Sequence, residues 1–139
     1  MSLQWDESLV LGFDEIDNQH RSIFEQFGRL SEAVQQGEPH EDIEQLANFL
    51  LEYANVHFST EERIMVEYNY PKIEEQRHDH VEFTQNANEL KKRIEQEGAT
   101  REIAIETTGT LLRWIIQHIK GHDKEMVEYV KEYIGLRQR

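Results

Sequence analysis

Long stretches of the chain repeat apolar residues at steps of three and four, and the breaks between them fall at the few helix-breaking residues. Gly37-Glu38-Pro39, Tyr70-Pro71 and Gly98-Ala99-Thr100 divide it into four segments. In the first, Ile16, His20, Ile23, Phe27, Leu30 and Val34 lie on one stripe, with Asp14 or Asp17 available as N-cap. The second, from about His40 to Asn69, aligns Ile43, Leu46, Leu50, Tyr53, His57, Glu61, Ile64 and Tyr68, a rod of roughly 40 Å at ~1.5 Å per residue. The third has the most regular seam, Ile73, Gln76, His80, Phe83, Ala87, Leu90 and Ile94, spaced as helix-bundle packing requires. The fourth, with Thr100 as its expected N-cap, aligns Leu111, Ile115, His118 and His122, and a further helical stretch runs from Lys124 to about Tyr133. Short connections between long amphipathic rods force antiparallel neighbours. The pattern therefore predicts an all-α, up-down-up-down antiparallel four-helix bundle, with Trp5 to Phe13 as a packed N-terminal arm and a C-terminal helical extension.

What breaks the apolar pattern is more informative than the pattern itself. His20, His57, Glu61, Gln76, His80 and His118 all occupy inward stripes where packing alone calls for Leu or Ile. An unpaired buried polar group costs a few kcal/mol, and an unpaired buried carboxylate costs more. One such histidine is most simply a satisfied core residue; four helices contributing together point to a shared ligand. His57 and Glu61 are four apart, placing imidazole and carboxylate one turn apart on one face, as a metal-ligand pair requires. Gln76 and His80 share that spacing. Asp123 lies five residues after His118, about 140° off its face in a regular helix. A local unwinding or π-type bulge near Lys120-Gly121-His122 would bring it back inward, whereas without one it is a solvated surface charge. His40, His78 and His122 read as surface histidines, His122 being the nearest of them to the inward face.

Composition narrows the chemistry. The 139 residues contain 15 Lys plus Arg against 28 Asp plus Glu, for a formal charge of −13, and no Cys. This acidity argues against nucleic acid and anionic membrane surfaces as partners, because both are bound through cationic side chains. Without Cys there are no thiolate metal sites or thiol nucleophiles, so any metal sits on His, Asp and Glu. No apolar run approaches the ~18 residues of a membrane-spanning helix, and the N-terminus lacks a signal-peptide pattern. The expectation is a single domain over residues 1–139, cytoplasmic, with charged outer faces that favour a monomer.

The residues that carry this chemistry also carry a resemblance. Trp5, Ile16-Asp17-Asn18-Gln19-His20, His57-Phe58-Ser59-Thr60-Glu61-Glu62, Tyr70-Pro71, His80-Val81-Glu82-Phe83 and the run from Trp114 to Asp123 are similar to the hemerythrins, specifically the single-domain bacterial ones. Hemerythrins are themselves a standard example of the up-down bundle, so the two fold expectations are not independent. The resemblance implies two iron ions with an oxygen bridge, oxo or hydroxo, that reversibly take up dioxygen. His20 and His57 would hold the iron with an open position, His80 and His118 the other, and Glu61 and Asp123 would bridge. The family's third imidazole on the second iron falls at Gln76. A carboxamide oxygen is a poorer donor than imidazole, and water replaces it if it does not reach. The expected function is dioxygen binding, for carriage, storage or sensing, at a site altered at Gln76. Oxidase- or peroxidase-like redox activity is the alternative, and a metal-poor helical interaction module a third.

Overall fold

The computed structural model describes residues 5–37, 40–98 and 100–137. Glu38, Pro39 and Ala99 of the predicted breaks, and the side chains of His40 and Leu46, lie outside the described residues. A 3-10 turn at Glu7–Leu9 leads into α1 (Asp14–Gln35), α2 (His40–Glu67), α3 (Ile73–Glu97) and α4 (Arg101–His118). A π-helical turn, Ile119–Asp123, then joins α4 to α5 (Lys124–Arg137).

The connections run as the breaks require. At the end of α2, Tyr70 N–H donates to Met65 O and Asn69 N–H to Val66 O, with Asn69 left-handed at φ 54°. This closes the orphan carbonyls and turns the chain before Pro71. Gly98 ends α3 at φ 85°, where a side chain would be strained. Thr100 caps α4 as expected, its hydroxyl accepting from Ile103 N–H. At the start of α1 the structure differs from expectation. Phe13 occupies the cap position without a side-chain bond. Asp17, buried one turn inside the helix, instead accepts from the N–H groups of Leu11 and Gly12 at 2.8 and 2.9 Å. Its carboxylate is thus spent on fastening the arm rather than on the helix end.

Cross-helix pairs descend on one helix as they ascend on the next, which makes the neighbours antiparallel. Glu15 meets Arg63 and Gln19 meets Thr60 across α1 and α2. Phe58 stacks on His80 and Glu62 lies near Arg77 across α2 and α3, and Asp79 and Phe83 meet His118 and Trp114 across α3 and α4. α1 packs against α4 to close the ring, and Lys131 of α5 ties that helix to the arm by donating to Leu11 O. The arm packs as expected, with Trp5 edge-on to Phe24 at 5.3 Å and the Arg21 guanidinium over its ring.

The apolar interior is divided in two. One cluster, including Ile23, Phe27, Leu50, Phe83, Leu90 and Ile115, fills most of the bundle. A smaller one, including Ile16, Ile64, Met65, Met126 and Val130, fills the end beside α5. Along α1, α2 and α3, and at Asp123 in the π turn between α4 and α5, the change from one cluster to the other falls at a polar residue that faces inward, so a polar layer separates them.

Candidate metal centre

That layer holds His20, His57, Glu61, Gln76, His80, His118 and Asp123, all at most 5% exposed. α1 supplies His20, α2 the His57–Glu61 pair one turn apart, α3 the Gln76–His80 pair, and α4 His118. Asp123 arrives by the π turn: the wider turn makes the five-residue interval from His118 equivalent to about one revolution, returning the carboxylate to the interior. Gly121 marks this turn but is not what permits it. Its φ is not positive, and a Cβ there would meet nothing within 4 Å.

The side chains form two groups. Donor atoms of His20, His57 and Asp123 lie within 4.8 Å of one another, as do those of Glu61, His80 and His118. The carboxylates link the groups. Asp123 Oδ2 lies 2.9 Å from His20 Nε2 and 3.8 Å from His57 Nε2, while its Oδ1 lies 3.0 Å from His118 Nε2. Glu61 Oε1 lies 3.1, 3.3 and 3.5 Å from the Nε2 atoms of His57, His80 and His118.

Close as they are, few of these atoms make hydrogen bonds. Among the described residues, both Glu61 oxygens, His57 Nε2, both ring nitrogens of His80, His118 Nε2 and Gln76 Oε1 are buried without a hydrogen-bond partner. In a core this is costly unless the lone pairs meet a cation. The tautomer of His57 follows from its surroundings. Thr60 Oγ1 donates to Val56 O and so accepts from the Gln19 amide nitrogen at 3.0 Å. Gln19 Oε1 therefore accepts from His57 Nδ1–H at 2.7 Å, and the Nε2 lone pair points into the centre. His118 is held likewise, Nδ1–H donating to Asp79 Oδ2 at 3.0 Å. Seven side chains, donors without partners and two linking carboxylates fit metal cations.

The charges are mutually perturbed. Burial disfavours a charged His57, but the adjacent Glu61 and Asp123 carboxylates outweigh it and raise its pKa to about 9. Burial and Asp123 push Glu61 up, yet the His57 and His118 imidazoles prevail and hold it down at about 2. His118 is raised and Asp123 lowered, in both cases against burial, chiefly through each other's charge.

Gln76 is buried in the same layer, its Nε2 donating to Asp123 Oδ1 at 3.1 Å and contacting the Met126 sulfur at 3.9 Å. His78 is exposed on α3 in a surface group with Asp79 and Glu82, and His122, partly exposed, reaches Asp79 at 3.5 Å. Neither enters the centre. Sequence reading missed the outer partners Gln19, Thr60 and Asp79. Gln19 and Asp79 each immediately precede an inward histidine, a position that turns toward the flank of the neighbouring helix.

An all-helical bundle with a buried layer of imidazoles and carboxylates defines a helical metal-binding protein. The pattern described as the hemerythrin HHE cation binding domain matches residues 11–130. The bacteriohemerythrin of Pseudomonas aeruginosa is 32% identical over 129 residues, covering 93% of this chain and 82% of that protein. The bacteriohemerythrin of Stenotrophomonas maltophilia is 30% identical over 133 residues (96% and 84%). The myohemerythrin of Riftia pachyptila is 26% identical over 119 residues, or 86% of each chain. The chain belongs to the hemerythrin family. Among the described residues no helix is long and apolar enough to cross a membrane.

Proposed function

We propose that the chain is a non-haem di-iron protein that binds dioxygen, for carriage, storage or sensing. His20 and His57 hold one iron, His80 and His118 the other, and Glu61 and Asp123 bridge them. When bound, the iron pair supplies the reversible uptake of dioxygen that the family resemblance implies. The observation that carries this reading is Asp123, whose two oxygens face different imidazole groups, the disposition a bridging carboxylate needs. Gln19 and Asp79 fix the tautomers that turn Nε2 of His57 and His118 inward. The two apolar clusters on either side exclude bulk water from the layer.

Gln76 favours a second reading, redox turnover. It spends its amide nitrogen on Asp123 Oδ1, which leaves two imidazoles to each metal and a weaker donor set than a histidine there would give. A single experiment separates the readings. Iron-loaded protein is reduced anaerobically, exposed to dioxygen, and then purged with inert gas. Return of the reduced spectrum over repeated cycles supports dioxygen binding. Permanent oxidation accompanied by superoxide or hydrogen peroxide supports redox turnover.

A further inference from the structure

The two imidazole groups offer nearly the same donors inward but are held differently from outside. His57 Nδ1–H is received by a neutral carboxamide, Gln19, and the outer nitrogen of His20 has no hydrogen-bond partner among the described residues. In the other group His118 Nδ1–H is received by a carboxylate, Asp79. His80 Nδ1, buried and without a hydrogen bond, has a second carboxylate oxygen, Glu62 Oε1, 3.9 Å away. Both anionic outer neighbours therefore stand behind the same half of the centre.

We propose that Asp79, with Glu62 as the weaker second, is a positioning residue that makes the two metals unequal, strengthening His118 as a donor so that the His80/His118 half holds its cation more tightly. This rests on the two-metal reading above. A carboxylate accepting an imidazole N–H draws the proton outward and leaves more electron density on the opposite nitrogen; a carboxamide accepts the same bond without that charge. Asp79 is placed for it at hydrogen-bond distance and is itself steadied by His122 Nε2 at 3.5 Å. Glu62, at 3.9 Å and shared with Arg77, acts on His80 more weakly.

The test uses the full chain, stripped of metal and titrated anaerobically with cobalt(II) against a competing chelator. Cobalt reports each site separately through its visible spectrum and through the shifted N–H resonances of coordinated imidazoles. Asp79→Asn keeps a hydrogen-bond acceptor and removes the charge. It is expected to weaken one of two cobalt sites by about 10–100-fold and to move one imidazole N–H resonance, the other site binding as before. Glu82→Gln removes a charge from the same surface without touching a site imidazole, and is expected to leave both sites unchanged. Full cobalt affinity in Asp79→Asn with loss in Asp79→Ala would reduce Asp79 to orienting the ring and overturn the proposal, as would equal weakening by Asp79→Asn and Glu82→Gln. Should Asp79→Asn fail to fold by circular dichroism, Gln19→Glu decides: the proposal requires it to tighten the His20/His57 site, and unchanged affinity rejects it. Unsubstituted protein that binds fewer than two cobalt ions refutes the two-metal reading itself, a result visible before any variant is made.

Discussion

Gln76 is the residue at which this chain departs from the pattern it otherwise follows. Buried among imidazoles, its amide nitrogen is committed to Asp123 and its oxygen has no hydrogen-bond partner among the described residues. Gln76→His restores a nitrogen donor at the position and is expected to slow chelator-driven iron loss at least ~10-fold, followed by the decay of the iron chromophore. Unchanged loss would mean that residue 76 does not set metal retention. The inward residues were legible in the sequence because helical periodicity fixes which side chains face the core, and a Glu or His on an apolar stripe stands out. Their outer partners were not. Gln19 and Asp79 lie beside the stripe, where residues are usually solvated, and only the neighbouring helix brings them to His57 and His118.

At the scale of elements, the π turn and the arm joint show where local sequence is and is not enough. The five-residue interval from His118 to Asp123 demanded a bulge if Asp123 was to face inward, and the turn lies at Ile119–Asp123. Glycine freedom at Gly121 does not produce it, because Gly121 is not at positive φ and has room for a Cβ. Gly121→Ala is accordingly expected to leave metal content and thermal stability unchanged, measured by metal analysis and calorimetry. An extra residue inserted after Gly121 rotates Asp123 off the His118 face by ~100° and is expected to lower the number of metals bound per chain. The α1 start departs from expectation because a cap read from local order assumes that the carboxylate serves its own helix. Asp17 serves the arm, receiving two backbone N–H groups across a sharp turn. Asp17→Ala strands both and is expected to cost about 2–3 kcal/mol in denaturant unfolding, with Trp5 fluorescence reporting release of the arm.

Across the whole molecule, a polar layer interrupts a helical core that would otherwise be continuous, and the layer's own charges set how stability responds to pH. In metal-stripped protein the raised pKa of His57 contributes stability that is complete below its ordinary 6.5 and lost as pH climbs through about 9. The lowered pKa of Glu61 contributes stability present above its ordinary 4.5 and lost as pH falls through about 2. Unfolding temperature is therefore expected to peak between these ordinary values, pH 4.5 to 6.5, and to fall on both sides. His57 and His118, with their raised pKa values, must lose a proton before they bind metal, so loading at neutral pH is expected to release protons, seen as heats of binding that change with the buffer. The bundle itself was readable from periodicity and short connections, but the division of its core into two clusters around the layer depended on the register of all four helices at once.

The central claim is that this layer grips two cations. Counting metal per chain in protein stripped, reloaded anaerobically with iron(II) and freed of loosely held ions tests it most directly. Two irons per chain in the unsubstituted protein, falling in a folded Glu61→Ala variant that lacks one linking carboxylate, is the predicted result. No retained iron, or the same amount with Glu61 replaced, would contradict it.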